Sequence, residues 1–198
     1  MAEPVRGPRE RIVFSAAQLL RRGGVAGTGM REAVARAQAP RGSLQHYFPG
    51  GKEQLVNEAV DWAGRYAARR VDRFVAGLDT PSPSGLFAAM VRQWIEEYEG
   101  DAGFAAGCPV AAATVDSADT VASTRTAAAR AFDGWRAAVA GALHAMGVPD
   151  ARTHALATLM ISSLEGALLL ARAARDVRPL HDVVRELGPL LDAAVPRG

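Results

Sequence analysis

The segment that decides the fold is residues 39–55, APRGSLQHYFPGGKEQL. Within it Leu44 and Phe48 are four residues apart, so a helix would place both side chains on one face. The sequence predicts a helix of about two turns that ends after Phe48. Pro40 suits the first turn of this helix, and the PGG that follows would end it. A helix this short is unstable alone, so packing must hold it in place.

Two helices are predicted before this segment. Residues 8–23 begin with proline and end on a pair of glycines, and their apolar side chains recur at helical spacing. Residues 29–37 form a second, short helix, with Thr28 as its N-cap. Two short helices joined by a tight turn are typical of a helix-turn-helix, in which the second helix enters the major groove of DNA.

The rest of the chain is predicted to be helical as well. Isoleucine occurs three times and aromatic residues make up 6% of the sequence, so strand-forming residues are few. The predicted plan is all-α with about nine helices, three short ones followed by a larger bundle. The later helices are predicted at 52–78, 86–99, within 103–113, at 117–146, at 149–175 and from 179 on, where Gly188-Pro189 would kink or split the last.

The charge is unevenly distributed along the chain. Residues 1–52 contain nine basic and three acidic side chains, a net charge of +6. Residues 53–198 carry a net charge of −4, which leaves +2 for the whole chain. A basic N-terminal quarter on a mildly acidic body is typical of a phosphate-binding surface, although a solvated helix face would also explain it.

Three features of the sequence bear on the cellular compartment in which the protein is expected. The single cysteine, Cys108, excludes an intrachain disulfide and fits a reducing cytoplasm. The N-terminus lacks an apolar signal segment. Residues 155–171 are apolar, but Glu165 near their middle would be costly in a membrane, so a helix buried in protein is the better interpretation. We therefore expect a cytoplasmic protein with no membrane partner.

Catalytic and metal-binding patterns are absent from the sequence. GGKE at 50–53 fails the phosphate-loop pattern, because a histidine and a glutamate stand where glycine and serine or threonine are needed. The four histidines are scattered, and no serine pairs with a base in a recognisable motif. We expect no cofactor, no metal and no catalysis. The alternative is a helical enzyme or small-molecule carrier whose basic N-terminus is incidental.

Residues 28–55, TGMREAVARAQAPRGSLQHYFPGGKEQL, resemble the DNA-binding domain of TetR-family transcriptional regulators. GFAAGCPVAAA at 103–113 resembles the ligand domain of the LmrA/YxaF-like branch. The resemblance implies a DNA-binding domain over 1–51, with the helix-turn-helix at about 29–48, and a ligand-binding and dimerisation domain over 52–198. Gln38 stands at the family's usual turn glycine, so a left-handed backbone is expected there.

The resemblance implies a set of DNA contacts: Arg31, Arg41, Gly42, Ser43, Gln45, His46, Tyr47 and Lys52. Arginine suits guanine, glutamine suits adenine, and the missing side chain of Gly42 admits the DNA backbone. Gln45 stands where the family usually has an aromatic residue that contacts the DNA backbone. An alternative for His46 and Tyr47 is that they merely cover Leu44 and Phe48.

The resemblance implies a cavity for a small apolar or aromatic inducer in the domain 52–198, and clefts between bundle helices often bind small molecules. The side chains proposed to line it, each equally explained by core packing, are Trp62, Tyr66, Trp94, Tyr98, Phe104, Cys108, Trp135 and Met160. Two apolar stripes mark the last two helices: Leu156, Leu159, Met160, Leu164, Leu168 and Leu169, then Val183, Val184, Leu187, Leu190 and Leu191. The resemblance implies that these helices form a homodimer, which as a repressor would bind a near-palindromic operator.

Overall fold

The computed structural model describes residues 7–40, 42–101 and 103–196. These residues form nine α-helices and one 3₁₀ helix and contain no strand, so the all-α prediction is confirmed. The helices are α1 Pro8–Gly23, α2 Met30–Arg36, α3 Ser43–Tyr47, α4 Gly51–Ala76, α5 Pro83–Glu99, the 3₁₀ helix Gly103–Ala105, α6 Pro109–Ser117, α7 Ala122–Ala145, α8 Asp150–Ala174 and α9 Arg178–Asp192.

The chain divides into two compact units, of which the first is discontinuous in sequence. It combines the described residues up to Arg65 with Cys108–Phe132. One apolar core contains side chains from the region of all four helices α1, α2, α3 and α4, including Ile12, Phe48 and Leu55. A second core packs side chains of α1 and α4 against α6 and the first half of α7: Leu20, Val56, Val60, Ala63, Val110, Ala113, Ala127, Ala128 and Ala131. Packing alone therefore groups α6 with the N-terminal helices, and the functional boundary after residue 51 stays a prediction.

Polar contacts reinforce the second of these cores. Asn57 on α4 donates to Ser123 Oγ at 2.9 Å and accepts from Thr124 Oγ1 at 2.8 Å. One turn later, Arg130 of α7 pairs with Asp61 of α4 at 3.1 Å. These bonds join side chains 66 to 69 positions apart, so they fix the register between the two helices.

The second unit contains the described residues of 66–107 and 133–196. Its core is formed mainly by α5, α8 and α9, whose large side chains Leu86, Phe87, Met90, Met160, Leu164, Leu168, Leu180 and Leu191 are all buried. The carboxylate of Asp192 accepts hydrogen bonds from the N–H and hydroxyl of Ser84 at 2.9 and 2.6 Å. This contact fastens the end of α9 to the start of α5.

Helix α8 is long and apolar enough, by length and composition, to cross a membrane. One side of α8, however, is buried in the second unit against α5 and α9, as expected of a core helix. Glu165 lies in the middle of α8, where a charge would be costly in hydrocarbon.

Two local predictions around the helix-turn-helix are wrong. Thr28 does not cap α2, because its hydroxyl donates backwards to the Gly24 carbonyl at 2.8 Å, and Gly29 is the N-cap residue. Pro40 is not in the first turn of α3, which begins only at Ser43. A threonine hydroxyl can satisfy a nearby carbonyl as readily as a helix N–H, so the residue type does not decide between the two roles.

Two later boundaries also differ from prediction. The helix predicted over 117–146 begins later, because α6, predicted within 103–113, continues to Ser117 and α7 begins only at Ala122. The N–H groups of Thr120 and Val121 both bond to the Ser117 carbonyl in the turn between them. The last helix, by contrast, is not split, and α9 continues through Pro189 to Asp192. Pro189 cannot donate to the carbonyl four residues before it, but only three helical residues follow, so the lost bond interrupts little of α9.

Gln38 adopts the predicted left-handed conformation, with φ of 50°. Its N–H bonds to the Ala35 carbonyl and the N–H of Ala39 bonds to the Val34 carbonyl, both at 3.1 Å. These two bonds form a Schellman motif, which ends α2 and needs a left-handed residue at this position. The turn between α2 and α3 thus places a non-glycine residue in a conformation that favours glycine.

Replacing Gln38 by glycine is therefore expected to stabilise the protein by about 0.5–1 kcal/mol. The left-handed conformation costs a non-glycine residue about 1–2 kcal/mol, and glycine relieves this strain. Part of the relief is lost again, because glycine has more conformational freedom in the unfolded chain. Urea unfolding would measure it. Ala35→Gly, on the exposed face of α2, is the matched control and should lose about 1 kcal/mol. A loss of stability in Gln38→Gly would contradict the assigned strain.

Candidate nucleic-acid interface

Helix α3 has only five residues, and its apolar side is packed into the first unit. Phe48, directly after α3, is 2% exposed and belongs to the core formed with α1, α2 and α4. Leu44 is half-buried against the same core. The anchor predicted from the spacing of these two residues is therefore present, and it directs the opposite side of α3 outward.

The outward side of α3 is polar. Gly42, Gln45 and His46 are exposed. Tyr47 is half-buried, and its ring meets the ring of His46 edge-on at 5.0 Å and that of Phe48 at 6.5 Å. Tyr47 thus covers part of the core, as the alternative suggested, and still presents part of its surface to solvent. Arg41 and the side chain of Ser43 lie outside the described residues.

Two further predicted contacts come from neighbouring helices. Arg31 is exposed on α2 and lines a groove of about 710 Å³ together with Val34, Ala35, Ala39 and Leu44. Lys52 lies in the first turn of α4, where its Nζ donates to the Ala26 carbonyl at 3.3 Å. An ammonium group has three donors, so this bond leaves two N–H groups for a phosphate.

The sequence reasoning missed a hydrogen-bond network at the junction of α3 and α4. Gln54 accepts from the Gly50 N–H at 2.9 Å and donates to the Tyr47 carbonyl at 3.4 Å. It also donates to Glu58 at 2.9 Å, and Glu58 accepts from Arg9 at 2.6 Å. A glutamine in the first turn of a helix can accept from a backbone N–H just before it, and a carboxylate four residues later lies on the same face, so the sequence offered both signals.

The side chains proposed for the ligand site are divided between the two units. Trp62 and Cys108 lie in the first unit, where both pack against its cores and the ring of Trp62 meets Phe14 edge-on at 5.2 Å. The other six lie in the second unit. Of these, Trp94, Tyr98 and Phe104 form a row with ring centroids 6.1 and 4.9 Å apart.

The other three proposed ligand-binding residues of the second unit are Trp135, Met160 and Tyr66. Trp135 and Met160 are buried, at 6% and 0% exposure. Tyr66 is half-buried, and its hydroxyl accepts a hydrogen bond from Arg70 at 2.9 Å. Core packing explains Trp135 and Met160, and Tyr98 is buried as well, at 3% exposure. In the aromatic row only Trp94 and Phe104 are partly exposed, so the ligand site stays a prediction.

Comparison with known proteins identifies the fold and family. Residues 12–59 match the model for bacterial regulatory proteins of the tetR family. Residues 83–186, more than half of the chain, match the C-terminal domain of LmrA/YxaF-like transcriptional regulators. The chain is also 42% identical to an uncharacterized HTH-type transcriptional regulator of Mycobacterium tuberculosis, over 97% of this chain and 98% of the relative. The chain belongs to the TetR family.

Two further similarities agree with this assignment. The HTH-type transcriptional regulator LmrA of Bacillus subtilis is 28% identical to this TetR-family regulator, over 87% of the chain and 90% of LmrA. A TetR regulator from Legionella pneumophila shares the fold, with a TM-score of 0.78 at 20% identity over 96% of this chain and all of that one. The predicted family and its LmrA/YxaF-like branch are confirmed. The alternative of a helical enzyme is set aside, since these relatives are regulators.

Proposed function

We propose that this TetR-family regulator is a cytoplasmic repressor that binds a near-palindromic operator as a homodimer and is released by a small apolar or aromatic ligand. The observation that carries the proposal is the polar, outward side of α3 on a packed trihelical support. A short helix held by an apolar anchor, with glutamine and histidine exposed beside it, is what major-groove reading requires.

The proposed DNA contacts divide by role. Gln45 and His46 reach base edges, and Gly42 lets the DNA backbone approach α3 closely. Arg31, Tyr47 and Lys52 hold phosphates on either side of the groove, with Lys52 aided by the N-terminus of α4. Arg41 and Ser43 are retained as contacts from the family resemblance alone. Because cations supply much of this binding, operator affinity should fall steeply with salt.

The proposed dimer surface lies on α8 and α9. Four of the five exposed large apolar side chains among the described residues are found there: Leu159, Leu169, Leu170 and Leu190, between 43% and 63% exposed. Several exposed leucines on two helices that pack together are unfavourable on a monomer and are typical of a protein interface. A twofold dimer would present two copies of α3 to two half-sites of one operator.

The proposed ligand site is the row of Trp94, Tyr98 and Phe104. Three aromatic rings in contact suit a flat apolar or aromatic ligand better than a charged one. Helix α4 is continuous from Gly51, next to α3, to Ala76 in the second unit, so a change in its tilt would move α3. A ligand releases DNA only by its preference for one conformation over the other, typically about 1–3 kcal/mol.

The test is operator binding by two variants of the first unit, Tyr47→Ala and Lys52→Ala. Each is expected to weaken binding to DNA from upstream of the protein's own gene by about tenfold, because each loses one phosphate contact. Fluorescence anisotropy at two salt concentrations measures the affinity. Lys52→Ala should also reduce the salt slope by about one, since one fewer counterion is released.

The control is Arg92→Ala, which removes an exposed cation from α5 in the second unit. It should bind like the wild type. Circular dichroism melts should show all three variants folded. If wild-type protein gave no saturable, salt-sensitive binding to any upstream fragment, the proposed function would be wrong. If both first-unit variants bound like wild type, the assigned contacts would be wrong and the family assignment would stand.

A further inference from the structure

We propose that Gln54 is a positioning residue for the recognition helix α3, and that the Arg9–Glu58 pair holds its amide in the orientation required. This inference rests on the proposed DNA binding and adds residues to it that do not themselves face DNA. The network is confined to the first unit and joins α1, α4 and the end of α3.

Gln54 uses both ends of its amide at the junction. Its Oε1 accepts from the Gly50 N–H at 2.9 Å, in the turn that separates α3 from α4. Its Nε2 donates to the carbonyl of Tyr47, the last residue of α3, at 3.4 Å. One side chain thus ties the C-terminal end of α3 and the following turn to the first turn of α4.

The orientation of that amide is set by its neighbour. Nε2 also donates to Oε1 of Glu58 at 2.9 Å, which a flipped amide could not do, because two oxygens would then face each other. Arg9 of α1 donates to the same oxygen at 2.6 Å and places its guanidinium over the ring of Phe48, 5.4 Å from the centroid. Arg9 therefore fixes Glu58 and also covers the apolar anchor of α3.

A device of this kind matters because α3 is too short to keep its own orientation. A five-residue helix has almost no internal hydrogen bonds, so its axis is set by what its two ends contact. Base-edge contacts need side chains placed to a fraction of an ångström, whereas phosphate contacts by long flexible cations tolerate displacement. Loss of the network should therefore reduce sequence discrimination more than it reduces binding to DNA in general.

The experiment compares affinity for the upstream fragment with affinity for a scrambled duplex of equal length and composition. The discrimination ratio is measured by anisotropy for full-length wild type and for Gln54→Met. Methionine keeps the size and helix propensity of glutamine and removes all three hydrogen bonds. The ratio should fall by about tenfold, the equivalent of one or two such bonds. Affinity for the scrambled duplex should stay within about twofold.

A second variant separates positioning from stability. Gln54→Glu keeps an acceptor for the Gly50 N–H and adds a carboxylate to the first turn of α4, where the helix dipole favours it. The new carboxylate also faces Glu58, so the melting temperature should fall by a few degrees while the protein stays folded. The substitution removes the donor to Tyr47 and Glu58, so its discrimination ratio should also fall. Gln18→Met, on α1, is the matched control, since Gln18 accepts a local hydrogen bond from Arg21 on the same helix, and its ratio should be unchanged.

The outcomes are distinguishable. A wild type that does not discriminate between the two duplexes overturns the proposed function, and the inference with it. A discriminating wild type together with unchanged ratios in Gln54→Met and Gln54→Glu overturns the inference alone. Equal losses for both duplexes, parallel to a lower melting temperature, would assign Gln54 a merely structural role and also overturn it. A lower ratio in both folded variants supports it.

Discussion

Replacing Leu170 and Leu190 together by glutamate is expected to turn the regulator from a dimer into a monomer and to weaken operator binding by more than about a hundredfold. The two side chains are 62% and 63% exposed on α8 and α9, so neither supports the fold of its own unit. In a dimer interface each would be buried, and a buried unpaired carboxylate is strongly unfavourable. A monomer would bring one α3 to the DNA instead of two, and the gain from linking the two contacts would be lost.

Sedimentation or light scattering at micromolar concentration measures the oligomeric state, and anisotropy measures the operator affinity. The control is Val115→Glu, because Val115 is 83% exposed on α6 in the first unit, outside the proposed surface. It should stay dimeric and bind normally. A double variant that remained a dimer with normal operator affinity would refute the assignment of α8 and α9 as the dimer surface.

The sequence predicted those elements whose limits are marked by local chemistry. Proline at the start and glycine at the end set α1 correctly, and the long apolar periods of α4, α5 and α8 placed these helices to within about three residues. The break between α6 and α7 was expected at 114–116 and lies at 118–121, because both runs contain threonine, valine and aspartate, whose helix propensities are similar. The split of α9 at Pro189, one of the two outcomes predicted there, does not occur, because a proline's effect depends on how near it lies to the helix end.

The composition of the first unit could not be read from sequence. The carboxylate of Asp116 on α6 accepts a hydrogen bond from the Val25 N–H at 2.7 Å, across 91 positions of sequence. Small residues such as Ala113 and Ala127 give little hydrophobic signal, yet they are fully buried against Leu20, Val56 and neighbouring side chains. Periodicity reveals that a face is buried and does not reveal what it is buried against.

The apolar stripes of the last helices were only partly informative. Leu156, Met160, Leu164 and Leu168 were assigned to the interface stripe and are in fact buried in the core of their own unit. The exposed leucines of α8 are Leu159, Leu169 and Leu170, of which the last was not predicted. A helix that is apolar on two sides gives one broad signal, and only its packed neighbours show which side remains outward.

Replacing Gly64 by alanine is expected to destabilise the first unit by about 2 kcal/mol. A Cβ at Gly64 on α4 would lie 2.5 Å from Cβ and 2.6 Å from Cα of Ala131 on α7. Cβ atoms in contact normally lie close to 4 Å apart, so the helices would have to separate by more than 1 Å. Overpacking of this kind costs about 3 kcal/mol, while the better helix propensity of alanine returns about 1 kcal/mol.

The matched control is Gly134→Ala, three residues from Ala131 on the same helix. A Cβ at Gly134 meets nothing within 4 Å, so there is no clash. The higher helix propensity of alanine should therefore stabilise the protein by about 1 kcal/mol. Thermal unfolding followed by circular dichroism measures both. The two glycine-to-alanine changes should thus have opposite signs, and stabilisation by both would show that α4 and α7 do not approach closely at Gly64. Because α4 leads directly from α3, Gly64→Ala should also weaken operator binding, and Gly134→Ala should leave it unchanged.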